Sequence, residues 1–402
     1  MEDMSDTDLQ SCAEIEEFQL TLNTIPVEVF LHICTFLDGK ELIKTLKIVC
    51  RSFYEILSDD EVWRSWLKKR WPELPTSNVF YKDEDIPGHT VCLQVDRGLK
   101  LWSKEECNIR KFRNESVHIS TVDTVKIIQE GRVGISGSRD RSLGVWSLTD
   151  GLSLVDQMSS AHNGWIWSLA TTPKGDQFYS SSWDSSIKMW TLDQQLREVF
   201  CFKCKAAALS LACRDGLVAA GQFTSNVAVF DPKLGGMPVM EYTCHNRSIM
   251  DICIVRDFIV AVSEDRTLSV WDITAGKIFK SGITVTKEGH PMTVSFRKSN
   301  LLFVGDTENR LHIFNTLDDS FELMESFDMG HRPRGSITSM WQNEGFVITG
   351  SKDTTVRIHT ATRPPHLINQ LTSAQGCVTS LDFADPALLA GCGNAVQLWL
   401  PC

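Results

Sequence analysis

Apolar and polar residues alternate in short runs between residues 117 and 402, and the runs return at regular spacing. In each clear copy, small residues lead to an Asp in a tight turn, and alternating apolar residues then end in an aromatic residue or a close substitute. The clear copies cover residues 136–146, 180–190, 262–271 and 349–359, and weaker copies end at Phe230, Phe314 and Trp399. Each copy predicts a strand, a turn and a second strand.

The spacing of these copies predicts the fold. Their end positions, 146, 190, 230, 271, 314, 359 and 399, are 40 to 45 residues apart. A period of roughly 40–45 residues with four short strands per unit is typical of a WD-repeat β-propeller. We therefore expect a mainly β protein with a seven-bladed propeller over residues 107–402.

The two ends of the repeat region need separate interpretation. The copy that ends at Trp399 is followed by too little sequence for its outer strand. Residues 108–112 are suited to fill that place, as an N-terminal strand commonly does in WD-repeat propellers. Residues 96–102 also imitate the repeat, so eight blades are the alternative. A helical linker over residues 72–106 is favoured, because Cys92, Val95, Leu99 and Trp102 also fit one helical face and seven strand–turn–strand sets already lie downstream.

A helical pattern precedes the repeats over residues 20–71. Pro26 suits the first turn of a helix, and Glu28 lies near the positive end of that helix dipole. Three apolar stripes at helical spacing follow, which begin at Val29, Leu42 and Val62. Three short helices make a thin core, so we expect part of their apolar surface to serve a partner.

This helical segment resembles an F-box over about 45 residues in the order and spacing of its motif. The matching residues are Ile25, Pro26, Val27, Glu28 and Val29, then Phe36, Leu37 and Asp38, then Leu42, then Val49, Cys50 and Arg51, and finally Ser58, Asp59, Asp60, Glu61, Val62 and Trp63. The segment departs from the family at Ile25, where Leu is more common, and at Phe53, where Trp is common. Both changes keep apolar bulk. The alternative interpretation is an ordinary helical hairpin that caps the propeller.

An F-box followed by WD repeats resembles the F-box/WD-repeat family, and residues 136–141, 164–170, 356–359 and 364–365 narrow the resemblance to one branch of it. The resemblance implies a subunit without its own catalytic site, which recognises substrates for an SCF-type (Skp–cullin–F-box) ubiquitin ligase. The F-box would bind the Skp-type adaptor, and through it the cullin and RING subunits, while the propeller would bind the protein to be ubiquitinated. A non-degradative WD-repeat scaffold and a peptide or methyl-lysine reader are the alternatives.

The resemblance also implies a set of F-box residues that face the adaptor or support that face. They are Ile25, Pro26, Val29, Phe30, Ile33, Leu37, Leu42, Val49 and Cys50. Helix packing with apolar anchors would be the binding mode. Some of these residues fill the helical core instead, and the sequence does not divide the two groups.

On the propeller, the resemblance implies that substrate meets the residue before each turn Asp and a neighbouring residue of the innermost strand. The positions before the turn are Arg139, Trp183, Phe223, Glu264, Thr307, Lys352 and Cys392, and the neighbouring inner-strand positions are Asp123, Trp167 and Met250. A phosphate needs several charge-assisted donors, whereas this set has one Arg and one Lys beside two carboxylates. Three aromatic residues on neighbouring blades indicate an apolar or cation–π pocket instead, unless they pack between blades.

Composition and charge narrow the function classes. The net charge is −11 and no block of basic residues offsets it, so we expect no nucleic-acid partner. Residues 1–19, with seven acidic residues and no Lys or Arg in the first 18, predict a flexible acidic tail without the features of a signal peptide. No apolar run approaches the roughly 18–20 residues of a membrane helix. The 13 cysteines then indicate reduced thiols in a cytoplasmic or nuclear protein.

The sequence contains none of the common catalytic motifs, such as a phosphate-binding loop or a Gly-x-Ser-x-Gly elbow. Cys201 and Cys204 form a lone CxxC, for which Cys213 and His245 are zinc ligands only on paper, so we expect neither a metal nor another cofactor. Five histidines lie near blade starts, namely His118, His162, His245, His290 and His331. The resemblance implies that such a histidine is hydrogen-bonded through the small hydroxyl residue to the turn Asp; a metal site is the alternative, although these histidines belong to different blades.

Overall fold

A computed structural model describes residues 25–71, 87–103 and 108–401, apart from 173, 194, 215, 297–299, 332–334 and 375. The predicted acidic tail and residues 72–86 of the predicted linker lie outside the described residues. The described part consists of an N-terminal helical unit and a β-propeller, which one long helix joins.

Residues 25–71 and 87–103 of the helical unit contain five α-helices. They are Val27–Cys34 (α1), Gly39–Lys44 (α2), Arg51–Ser58 (α3), Asp60–Arg70 (α4) and Gly88–Trp102 (α5). The carboxylate of Asp38 begins α2, since it accepts the backbone N–H of Glu41 at 2.7 Å in a capping box. The carboxylate of Asp59 caps α4, since it accepts the backbone N–H of Glu61 at 2.9 Å.

The prediction of a single helix for the second apolar stripe, from Leu42 to Phe53, was wrong. A 3₁₀ turn at Leu46–Ile48 and an extended Cys50 (φ −153°, ψ 166°) divide it into α2 and α3. The Cys50 sulfur then accepts the N–H of Phe53 at 3.5 Å and caps the new helix. An apolar period alone did not reveal this break, because both helices contribute to the same core.

Helix α5 completes the helical core. The rings of Phe30 and Phe53 stack with centroids 4.2 Å apart, and α5 adds Val91, Cys92 and Val95 to the same cluster. The buried carboxylate of Asp96 on α5 accepts the N–H of Gly39 at 2.7 Å. The F-box helices therefore pack around α5 and do not form a hairpin on their own.

The propeller consists of seven four-stranded antiparallel sheets within the described residues. Its first strand, Ile109–Asn114 (β1), belongs to the last blade. Blade one contains Val122–Ile128 (β2), Val133–Ser138 (β3), Leu143–Ser147 (β4) and Ser153–Met158 (β5). Blade two contains Ile166–Thr171 (β6), Gln177–Ser182 (β7), Ser186–Leu192 (β8) and Leu196–Lys203 (β9). Blade three contains Ala208–Arg214 (β10), Leu217–Gln222 (β11), Asn226–Phe230 (β12) and Met240–Thr243 (β13).

The remaining blades repeat this order. Blade four contains Ile249–Val255 (β14), Phe258–Ser263 (β15), Thr267–Asp272 (β16) and Lys277–Thr284 (β17). Blade five contains Pro291–Phe296 (β18), Leu301–Asp306 (β19), Arg310–Asn315 (β20) and Glu322–Asp328 (β21). Blade six contains Ile337–Gln342 (β22), Phe346–Ser351 (β23), Thr355–Thr360 (β24) and Leu367–Thr372 (β25). Blade seven contains Val378–Ala384 (β26), Ala387–Cys392 (β27) and Ala395–Pro401 (β28).

Strand β1 supplies the fourth strand of blade seven and closes the ring. It pairs antiparallel with β28 over its full length, from Ile109 opposite Pro401 to Asn114 opposite Val396. The sequence predicted this closure from residues 108–112. The first strand of each blade lies innermost, and these strands contact one another around a central channel of about 610 Å³.

Helix α5 docks on the loops that precede the second strands of blades six and seven. Trp102 is fully buried in the core of these blades, where its ring lies 5.8 Å from that of Phe383. The side chain of Asn369 donates to the carbonyl of Trp102 at 2.7 Å, and Arg97 pairs with Asp385 at 2.5 Å. Gly98 packs against the ring of Phe346. Residues 96–102 are therefore helical and form no eighth blade.

Candidate functional site

A β-bulge at the start of every inner strand turns one side chain toward the mouth of the channel. In blade one, Val122 pairs with Ser138 and Thr124 with Gly137, which leaves Asp123 as the extra residue. The same register shift falls at Trp167 in blade two and at Met250 in blade four. Bulges re-aim side chains in this way next to many binding sites. The three predicted inner-strand residues thus line the channel together.

The turn between the second and third strands positions the other predicted residues. In blade one, the Asp140 carboxylate accepts the N–H of Ser142 at 2.9 Å and the N–H of Ile119 at 3.0 Å, and His118 Nδ1 lies 3.2 Å away. Burial alone would raise the pKa of Asp140, but the hydrogen bonds from His118 and Ser142 outweigh it and hold that pKa well below its usual range. The turn thereby fixes the backbone of Arg139.

Four blades contain the predicted histidine–aspartate contact. The pairs are His118 with Asp140, His162 with Asp184, His245 with Asp265, and His331 with Asp353. The expectation for His290 was wrong, because Glu308 holds the place of the turn Asp in blade five. There His290 uses its backbone N–H, which donates to the Thr307 hydroxyl at 3.0 Å, while Asp306 and His312 pair instead at 2.9 Å.

Four aromatic residues of blades two and three meet on the turn side of the ring. We call Trp165, Trp167, Trp183 and Phe223 the aromatic platform. Trp167 and Trp183 have centroids 5.8 Å apart, Trp165 lies 6.5 Å from Trp167 and 6.1 Å from Trp183, and Phe223 lies 5.3 Å from Trp183. Trp165, Trp183 and Phe223 are exposed. The predicted aromatic surface therefore exists as one connected cluster.

Trp165 was missed among the candidate site residues, although the sequence held a signal for it. It lies two residues before Trp167 at the start of an inner strand, so both side chains are expected on the same side of that strand. The bulge at Trp167 and the turn at Trp183 then bring the three indoles together.

A partly buried ion pair adjoins the platform. Arg139 donates from Nε and Nη2 to the two carboxylate oxygens of Asp123, at 2.7 and 3.1 Å. Its guanidinium also lies 5.2 Å from the ring of Trp165 and 5.3 Å from that of Trp167. Burial raises the pKa of Asp123, while the hydrogen bond to Asp123 raises that of Arg139. The positive charge of Arg139 is thus neutralised by Asp123 of the same chain.

Three other predicted face residues lie on blades four and six. Met250 and Lys352 line the channel on blades four and six. Glu264 on blade four pairs with Arg247 at 3.3 Å. The structure therefore brings together Asp123, Arg139 and the platform, but no cluster of basic side chains on this face among the described residues.

On the F-box helices, the predicted adaptor residues fall into three groups. Pro26, Val29, Ile33 and Val49 are exposed, Ile25, Leu37 and Cys50 are half-buried, and Phe30 and Leu42 are buried in the helical core. Phe30 and Leu42 can therefore support the surface but do not form it. Four exposed apolar residues of the same helices and turns were not among the candidates, namely Val27, Phe36, Ile48 and Tyr54.

The described residues contain no group of three or more His, Cys, Asp or Glu side chains that could hold a metal ion. Burial raises the pKa of the Cys204 thiol to about 12 and that of Cys34 to about 11, so neither thiol is activated as a nucleophile. Among the helices that the structure describes, none is long and apolar enough to cross a membrane.

Comparison with known proteins agrees with this architecture. The F-box-like family model matches residues 22–67, and the WD domain, G-beta repeat model matches residues 155–191, 236–272 and 322–360. The bovine and human F-box/WD repeat-containing protein 9 are each 30% identical over 359 residues, which cover 86% of this chain and 75% of the relative. The F-box/WD repeat-containing protein mec-15 of Caenorhabditis elegans is 25% identical over 343 residues, or 79% of this chain and 80% of the relative.

A solved structure supports the fold alone. The WD40 β-propeller domain of Doa1 superposes with a TM-score of 0.60 at 17% sequence identity, and the match covers 70% of this chain and 93% of that chain. The family assignment rests on the sequence relatives and on the two family models. The chain belongs to the F-box/WD-repeat protein family.

Proposed function

We propose that this chain is the substrate-recognition subunit of an SCF-type ubiquitin ligase. Its F-box helices would bind a Skp-type adaptor, and through it cullin and RING subunits, while its propeller would bind the protein to be ubiquitinated. The observation that carries the proposal is an exposed apolar surface on the F-box helices of a chain that also presents the aromatic platform.

Several apolar side chains of the F-box helices are exposed and do not contribute to the core of the helical unit. Val29 and Ile33 lie four residues apart on α1, so both point to the same side of that helix. Phe36, Ile48 and Val49 extend the exposed surface into the following turns. Exposed apolar side chains of this kind are typical of protein–protein interfaces, where a few anchors supply most of the affinity.

The two surfaces lie on opposite sides of the propeller. Helix α5 contacts the loop before β23 through Gly345 and the loop before β27 through Asp385. The turns that carry Arg139 and Trp183 lie at the other ends of the second strands, roughly 20 Å away for a six-residue strand. A substrate on the turn side would thus be held at a fixed offset from the adaptor. Catalysis by the complex would then come from proximity, with no chemistry from this chain.

The geometry of the platform does not favour the methyl-lysine reader. A methylammonium group binds within about 6 Å of the ring centroids that it contacts. Here the guanidinium of Arg139 already lies 5.2 Å from the ring of Trp165 and 5.3 Å from that of Trp167, so this cation position is occupied within the chain. The alternative function, a scaffold without a role in degradation, is distinguished from a ligase subunit by the pull-down described next.

The test is a pull-down of the full chain probed for the Skp adaptor and the cullin. The variant Val29→Ala with Ile33→Ala removes two exposed anchors, and we expect it to retain less than about a tenth of both proteins. The control is Leu154→Ala with Val155→Ala, which removes two exposed aliphatic side chains from the outer strand of blade one. Wild type and control should retain both proteins.

If wild type captures neither protein, or if the F-box variant captures as much as wild type, the proposal fails. If wild type captures the adaptor but not the cullin, the chain is a scaffold and the proposed ligase function is wrong.

A further inference from the structure

We propose that the aromatic platform binds a bulky, uncharged apolar side chain in an unmodified segment of the substrate. This inference rests on the proposed function, because it names the chemistry of the substrate that the propeller would recognise. It excludes a phosphorylated residue and a methylated lysine as the anchor on this surface.

The exposed area of the platform falls within the range of the largest apolar patch of a soluble protein. Trp165 is 44% exposed, Trp183 41% and Phe223 52%. At roughly 100 Å² for each half-exposed aromatic side chain, the three together present about 300 Å² of connected apolar surface. Patches of this size are often functional. Water covers this surface unless an apolar group of a partner displaces it.

The platform is held rigidly before any ligand arrives. The N–H of Trp183 donates to the carbonyl of Trp165 at 2.9 Å, and the neighbouring Asp184 is fixed by His162 at 3.1 Å. Gly164 permits this close approach, since a Cβ at that position would lie 2.6 Å from the backbone nitrogen of Asp184. A preorganised surface loses little conformational entropy on binding, so its apolar area is available for affinity.

Two charged side chains near the platform, Arg139 and Glu264, are paired within the chain. Arg139 bonds to Asp123 on one side, and Glu264 bonds to Arg247 on the next blade beyond Phe223. A phosphate would need several donors, yet the nearest guanidinium holds a carboxylate in a bidentate contact. A ligand cation would likewise find the adjacent carboxylate of Asp123 occupied. The complementary partner for a neutral aromatic surface is therefore a neutral apolar group.

The arrangement of the rings determines how that group binds. The rings of Trp165 and Trp167 lie 6.1 and 5.8 Å from that of Trp183, so the platform is one connected aromatic surface. On such a surface an aromatic ring can stack or meet an edge, and a Leu, Ile or Met side chain can spread. We therefore expect a linear segment with one or two such residues, free of a required modification.

The experiment selects ligands for the full chain from a phage-displayed library of random short peptides. Enriched sequences are synthesised without modification, labelled, and measured by fluorescence anisotropy. We expect them to share an aromatic or large aliphatic residue, and Trp183→Ala with Phe223→Ala to weaken binding at least about tenfold. Trp165→Ala is the second variant. Phe279→Ala, which removes an equally exposed ring from the outer strand of blade four, is the matched control. Thermal unfolding midpoints confirm that all variants fold.

Three results would overturn the proposal: no enriched peptide, enrichment of charged sequences without an apolar residue, or equal binding by the platform variants and the control. Failure of the proposed function is distinguishable. The platform variants should still capture the adaptor, and the F-box variant Val29→Ala with Ile33→Ala should still bind the peptides. Loss of adaptor capture by wild type alone would remove the ligase assignment but leave the peptide chemistry intact.

Discussion

His359 makes blade six sensitive to acid. It ends the third strand of its repeat, where blades one, two, four and seven carry Trp, and it is buried. Its Nδ1 has no hydrogen-bond partner among the described residues. Burial, together with the charges of His331 and Arg357, lowers the pKa of His359 to about 3. The folded protein therefore keeps this imidazole neutral at a pH where an unfolded chain protonates it.

The magnitude follows from linkage between protonation and folding. Above about pH 6.5 both states are neutral, and the group does not change the free energy of unfolding. Below that pH only the unfolded chain gains the proton, so stability falls as the pH falls toward the folded-state pKa. With a folded-state value of about 3, the loss is about 2 kcal/mol at pH 5 and about 5 kcal/mol when complete.

The variant His359→Phe removes the titration and keeps an aromatic ring, as at Phe230 and Phe314 in blades three and five. Urea unfolding of wild type and variant is compared at about pH 8 and about pH 5, with tryptophan fluorescence as the readout. The variant should lose about 2 kcal/mol less than wild type between the two pH values. Some pH dependence should persist, because burial also lowers the pKa of His331 to about 4.

A His366→Gln chain controls for the removal of a histidine as such, since His366 is an exposed residue of the same blade. The comparison at the higher pH isolates any change in packing. If wild type and His359→Phe lose the same free energy within about 0.5 kcal/mol, the desolvation argument is refuted.

Two further changes test how the surfaces are positioned. Gly98→Val should detach α5 from the propeller, because a Cβ there would overlap the ring of Phe346. Limited proteolysis should then release the helical unit. Continued resistance to the protease would show that the interface adapts to the larger side chain. Asp184→Ala should lower the free energy of unfolding by about 1–3 kcal/mol and weaken peptide binding through Trp183. Thr224→Ala, at the corresponding turn of blade three, should change neither, and an equal loss in both would count against the turn network.

Much of the fold could be predicted from the sequence, because each blade is encoded locally. The turn Asp, the small residues before it and the terminal aromatic residue recur at one period, so seven blades and a closing N-terminal strand followed from Trp146, Trp399 and their equivalents. The turn geometry persists even without the Asp, since Ser225 and Asn309 adopt the same positive φ as Arg141, at 69°, 66° and 73°.

The division between core and surface could not be predicted. Phe30 and Val29 are neighbours in a helix, and only the packing of Phe53 against α1 buries one and leaves the other exposed. Likewise, Arg139 and Asp123 looked like opposing single charges on the predicted substrate face. Their bidentate pairing depends on the bulge in β2, which is a property of strand register and not of composition.

The closing strand has a consequence for biosynthesis. Residues 109–114 of β1 pair with residues 396–401 of β28, so the ribosome must add nearly 290 further residues before the partner strand exists. At roughly 5–20 residues per second, β1 waits on the order of 15 to 60 seconds as an unpaired edge. The F-box helices can fold during that interval. The nascent propeller, however, stays open until its last strand leaves the ribosome. Until then, chaperones are needed to protect its unpaired strand edges from aggregation.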